Sequence, residues 1–162
     1  MLKLISWNVN RIRACVNKGF KEFFIKENAE DIRGIGVVGH VQGSSTATER
    51  ELGLRNGLEE YEDKIVDVVF CDSNYNKAYK ITKEMLEKHP EINVLAGLNE
   101  YSSVGAARAV IDLGLEGKIF MVGFDSSIKE VDFLESGIIG ECSPPMRKGR
   151  CVGICPFVYI GT

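Results

Sequence analysis

Between residues 34 and 140 the chain alternates short runs that are apolar at almost every position with longer runs of helical period. Few folds accept that rhythm. A strand reads as continuously apolar when both of its faces are covered. Strands that alternate with helices of this length pair in parallel, each helix carrying the chain back across the sheet. The expected class is therefore α/β: a parallel sheet, Rossmann-like, with helices on both faces and right-handed crossovers.

The runs can be placed one by one. "GIGVVGHV" (34–41), "KIVDVVFCD" (64–72), "INVLAGL" (92–98) and "GKIFMVGFD" (117–125) read as strands, and "IIGE" (138–141) as the start of a last one. "TATERELGLRNGLEEYE" (46–62) reads as a helix opened by a capping box of Thr46 and Glu49, with Ala47, Leu54, Leu58 and Tyr61 on its inner face. "NYNKAYKITKEMLEKHP" (74–90) turns Ala78, Thr82, Met85 and Leu86 inward and ends at Pro90. "SSVGAARAVIDLG" (102–114) stops at Gly114, and "SIKEVDFLESG" (127–137) opens with a second capping box, Ser127 and Glu130.

In an open parallel sheet, ligands gather where the strands end. The polar residues at those ends are Arg50, Asp72, Tyr75, Asn99, Glu100, Tyr101 and Asp125. A guanidinium, an amide, carboxylates and aromatic rings together suit a neutral polyol. Carboxylate and amide bridge neighbouring hydroxyls, the guanidinium donates in a fixed fork, and an aromatic face packs on C–H groups. Each residue also has a plainer use: Arg50 on a solvated helix face, Asp72 and Asp125 as helix caps.

The rest of the composition excludes more than it selects. Net charge is −3, which disfavours a nucleic-acid partner. No apolar run reaches the ~18 residues of a membrane span. "MLKLISWNVNRIRACV" lacks the apolar core of a secretory signal, so the chain as written is expected in the cytoplasm, without membrane insertion. The five cysteines, Cys15, Cys71, Cys142, Cys151 and Cys155, are odd in number and scattered, which opposes a disulfide framework; the last three lack a zinc spacing. No metal, cofactor or nucleophile–histidine pattern is legible, and no catalysis is expected.

Residues 34–140 resemble the C-terminal lobe of type I periplasmic sugar-binding proteins, the ribose-binding and lac-repressor-like superfamily. The resemblance is carried by "QGSSTATERELGLRNGL", "CDSNYNKAYKITKEMLEKHPEI", "GLNEYSSVGAARAV" and "KIFMVGFDSS". It implies a monosaccharide ligand and an ABC-transport setting outside the cytoplasm. It also implies that Arg50, Asn99 and Asp125 are hydrogen-bonding ligands and Tyr75 a stacking aromatic; Asp72, Glu100 and Tyr101 are further ligand-edge candidates by their strand-end positions. Two departures stand out. The family's Gln-Asn-Pro-like ligand segment is replaced by "ECSPPMRKG", and the N-terminal lobe that forms the other wall of the cleft is not in this sequence.

Residues 1–32 resemble something else. "KLISWNVNRIRACVNKGFKEFFIKENAEDI" is similar to the opening strand and helix of the exonuclease III family of apurinic endonucleases, with Asn8 at the active-site asparagine. That family's metal-binding glutamate and later Asp, Asn and His motifs are missing; the only histidines are His40 and His89. The expected organisation is an endonuclease-like fragment (1–32), a sugar-binding-protein-like lobe (33–140) and an irregular tail (141–162). The leading expectation is a weak monosaccharide-binding module, alone, as a homodimer, or completed by the absent lobe. The alternatives are a truncated apurinic endonuclease and a folded hybrid with no activity.

Overall fold

A computed structural model of the chain describes residues 32–125, 127–138 and 141–143. The expectations for Asn8, for the strand and helix of the first 31 residues, for the tail beyond residue 143 and for the clustered cysteine side chains lie outside the described residues.

The elements follow in strict alternation: β1 (Ile35–Gly39), α1 (Ser45–Leu58), a 3₁₀ segment (Glu59–Lys64), β2 (Ile65–Phe70), α2 (Tyr75–Lys88), β3 (Val94–Gly97), α3 (Glu100–Asp112), β4 (Phe120–Phe124), α4 (Ile128–Glu135) and β5 (Glu141–Ser143). Among the described residues the strands form one five-stranded sheet, all pairs parallel, in the order β2-β1-β3-β4-β5.

Successive strand residues point to opposite faces, and each face has its own core. Ile35, Val37, Val94, Ala96 and Leu98 pack with Leu54, Leu58 and Tyr61 of α1 and the 3₁₀ segment. Val38, Leu95 and Met121 pack with Ala78, Met85 and Leu86 of α2, and with Ala106, Ala107 and Val110 of α3. Helices therefore cover both faces, as the apolar strands require. Helices α2 and α3 lie so close that a Cβ on Gly105 would come 2.3 Å from that of Ala78.

Some local details differ from expectation. Helix α1 is capped by Ser44, whose Oγ accepts from the Ala47 N–H at 3.2 Å; the Thr46 hydroxyl instead meets the His40 ring at 3.0 Å. Residues 59–64 tighten into 3₁₀ geometry rather than continuing α1. Helix α3 begins at Glu100, two residues earlier than its apolar period suggests, because Asn99 caps it. Among the described residues strand β2 is a sheet edge, and there the Asp67 carboxylate accepts the Val68 N–H at 2.9 Å. A charge that occupies a backbone donor discourages addition of another strand. Among the described residues no helix is long and apolar enough to cross a membrane.

Candidate functional site

Strands β1 and β3 lie side by side, yet β1 connects through α1 to β2 on one flank and β3 through α3 to β4 on the other. Where connections part in this way, a crevice opens beyond the carboxyl ends. The candidate residues sit around it.

Arg50 reaches across from α1. Its Nη1 donates to the Leu98 carbonyl at the end of β3 (2.6 Å), and its Cζ lies 4.1 Å above the centre of the Phe124 ring. Its Nη2 is 3.8 Å from Asp125 Oδ1, within charge attraction and beyond a hydrogen bond. Burial lowers the guanidinium pKa while Asp125 raises it; an arginine stays charged regardless. The solvated-face alternative for Arg50 does not hold, since its side chain is only 21% exposed.

Asp125 follows β4 with φ of +87°, a backbone region that non-glycine residues rarely occupy. Its Oδ2 accepts the Glu100 N–H at 3.1 Å, so the carboxylate lies between Arg50 and the first turn of α3. It does not cap the helix that follows it: Ser127 does that for α4. Asn99 is buried and caps α3; its Oδ1 accepts from both the N–H and the hydroxyl of Ser102. With that oxygen occupied, Asn99 offers a ligand its amide N–H donors. Ser103 ties the pieces together, donating to the Asn99 carbonyl (2.8 Å) and accepting the Phe124 N–H (3.1 Å).

Tyr75 opens α2, its hydroxyl donating to Glu100 Oε1 and its ring 4.6 Å from that of Tyr101 at a 40° tilt. Lys129 Nζ stands 4.4 Å from the centre of the Tyr75 ring. The hydrogen bond to Glu100, and then burial, push the phenol up to about 12, so it remains a neutral donor. Five of the seven candidates thus form two linked groups, Arg50–Asp125–Glu100 and Glu100–Tyr75–Tyr101, and Asn99 precedes Glu100 as the cap of α3. Asp72 is separate: its side chain is 61% exposed and paired with Lys77, and α2 is capped by Asn74 rather than by Asp72.

Three residues at this edge go beyond the sequence reading: His40, Phe124 and Glu130. The last was legible as a cap but not as a buried acid. The capping box is present, with Ser127 N–H to Glu130 Oε2 at 3.0 Å and Glu130 N–H to Ser127 Oγ at 3.3 Å. The carboxyl is wholly buried, and Oε1 has no hydrogen-bond partner among the described residues. Burial pushes it up to about 7 against the pull of the hydrogen bonds from Ser127 and of the nearby Ser103 hydroxyl. A folded-state value above the unfolded one gives a stability term that is full below the ordinary carboxyl value of about 4.3 and is lost as pH rises through about 7. Glu130→Gln keeps a neutral cap and removes the titration. Its urea midpoint is expected to hold from about pH 5 to about pH 8 while the parent loses on the order of 3 kcal/mol. Parallel declines in the two proteins would assign the titration to another group.

Residues 18–143 match the family model described as a periplasmic binding protein domain. Among curated proteins, the D-ribose/D-allose-binding protein of Pseudomonas aeruginosa is 26% identical over 92 residues, 57% of this chain and 29% of that protein. Among solved structures, a sugar transporter from Clostridium phytofermentans is 44% identical with a TM-score of 0.61, over 70% of this chain and 42% of that one. A periplasmic solute-binding protein from Actinobacillus succinogenes with bound D-allose is 25% identical with a TM-score of 0.66, over 76% of this chain and 45% of that one. The chain thus accounts for less than half the length of each of these proteins.

Proposed function

The chain belongs to the periplasmic binding protein domain family, and from that premise we propose that the carboxyl edge of its sheet is one wall of a monosaccharide-binding cleft. The observation that carries this is the convergence of Arg50, Asn99 and Asp125 at the β1/β3 crevice, with the Tyr75–Tyr101 pair beside them. Arg50 and Asn99 donate to sugar hydroxyls, Asp125 accepts from them, and the aromatic pair packs on ring C–H groups. Glu100 acts mainly by holding Tyr75. Its role is to recognise and hold the sugar rather than to transform it, as in a transport receptor working outside the cytoplasm. The opposing wall comes from a second lobe or a second copy of the chain.

One wall sets the expected strength. If a two-walled cleft binds near μM, about −8 kcal/mol, half of that leaves about −4 kcal/mol, or mM affinity. The test is a two-dimensional amide NMR spectrum of the labelled chain with a monosaccharide panel, D-ribose and D-allose included, at ~10 mM, above that estimate. Shifts at Arg50, Tyr75, Asn99 and Asp125 are the expected result. Dispersed signals that move for no sugar in the panel would overturn the proposal, and sub-μM affinity for the monomer would overturn its one-walled form.

A further inference from the structure

We propose that His40 is a positioning residue for Arg50 and makes ligand binding at this edge fall on acidification. When neutral, its imidazole fixes the helix turn from which the guanidinium projects; when protonated, it sets a second cation beside that guanidinium. This rests on the reading of the edge as a monosaccharide site.

Four observations support it. His40 directly follows β1 and is 8% exposed, an unusual degree of burial for an imidazole at a sheet edge. Its Nε2 lies 3.0 Å from Thr46 Oγ1. Thr46 and Arg50 are four residues apart on α1, hence stacked on one face of the helix; the contact from β1 grips the turn immediately before the arginine. The His40 carbonyl accepts the Ser73 N–H at 3.3 Å, which joins the ring's own backbone to the end of β2. Finally, Nδ1 is buried with no hydrogen-bond partner among the described residues.

The unpartnered nitrogen is what makes the contact responsive. As a bare acceptor in the neutral ring, Nδ1 is tolerable; as the N–H of an imidazolium it is a buried charged donor with nothing to receive it. The charged groups facing the ring are Arg50 from α1 and Asp125 from the end of β4. Burial, and then Arg50, hold His40 below its ordinary value, while Asp125 opposes them. With the folded value depressed, the ring is neutral above the ordinary His range, and its contribution is lost as pH falls through that lowered value.

The experiment has two arms on the full chain. In the first, without sugar, the Arg50 Nε–H signal and the exchange rates of the first α1 amides are followed from about pH 7.5 to about pH 5, together with the His40 ring carbons. The arginine signal and the amide protection are expected to change with the His40 titration in the parent, and to stay flat in His40→Asn. In Thr46→Val the amides should already exchange faster at the upper pH. The second arm is a D-ribose titration at both ends of that range, with an expected weakening of about tenfold or more on acidification in the parent and none in His40→Asn. An Arg50 signal indifferent to the His40 titration overturns the proposal whether or not ribose binds. A coupled Arg50 signal with no ribose binding at either pH supports the positioning role and instead counts against the sugar reading. Should His40→Asn fail to give a folded spectrum, the parent titration and Thr46→Val decide the matter on the same criteria.

Discussion

Arg50→Lys is expected to weaken D-ribose binding by about tenfold to a hundredfold, the worth of one charge-assisted hydrogen bond of about 1.5–3 kcal/mol. The guanidinium does three things at once: it donates to the Leu98 carbonyl, attracts Asp125 and lies flat over Phe124. A planar fork can meet all three while keeping a donor for a ligand. An ammonium is a single point charge with no flat face, so a lysine that satisfies Leu98 leaves Phe124 uncovered and the ligand without its partner. The measurement is the NMR titration described above, with a urea midpoint beside it to separate lost recognition from lost stability. Unchanged affinity in a folded Arg50→Lys protein would remove the guanidinium from the list of ligand contacts.

The largest effect on stability is expected at Gly105. A Cβ there would lie 2.3 Å from Ala78 Cβ, 2.8 Å from the Tyr75 carbonyl oxygen and 2.9 Å from the Tyr79 nitrogen. Two of those three atoms are backbone, so no rotamer change relieves the clash and helices α2 and α3 must move apart. Overpacking costs about 1–3 kcal/mol where side chains can yield; with rigid neighbours and a β-branched side chain, Gly105→Val should cost about 3 kcal/mol or more. Because the contact involves the Tyr75 backbone, the Tyr75–Glu100 and Tyr75–Tyr101 contacts should loosen as well. Urea denaturation gives the cost, and the amide shifts of Tyr75 and Tyr101 show whether the edge has moved. A Gly105→Val protein as stable as the parent would mean that the two helices do not pack this closely.

Much of the fold was legible because the strands are buried on both faces. Each of the four apolar runs holds a strand, at 35–39, 65–70, 94–97 and 120–124. The candidate positions followed from topology alone, since a parallel sheet brings every strand end to one edge. What strand alternation does not reveal is which of those residues touch. That depends on the β2-β1-β3-β4-β5 order, which puts α1 against the end of β3 and so Arg50 against Leu98. The first cap lies two residues before its sequence signal for a related reason. "SSTATE" offers several hydroxyls in a row, and Thr46 is claimed by His40, a residue from across the turn. A histidine after a strand carries no signal of its own; its burial and its partner appear only in three dimensions. Glu130 shows the converse: its spacing from Ser127 announced a cap, while its solvent exclusion depends on what lies over it.

The largely occupied first turn of α3 bears on which chemical forms of a sugar the proposed site would accept. A free helix N-terminus attracts anions through unpaired amides and its positive dipole end. Here the Glu100 amide is taken by Asp125 and the Ser102 amide by Asn99, while the Ser103 amide serves the Asn99 carbonyl. The carboxylate that takes the Glu100 amide also offsets the charge of Arg50. On the proposed sugar reading, a phosphorylated sugar brought to this edge would meet these engaged amides and a fixed negative charge, which disfavours the phosphate ester relative to the uncharged form.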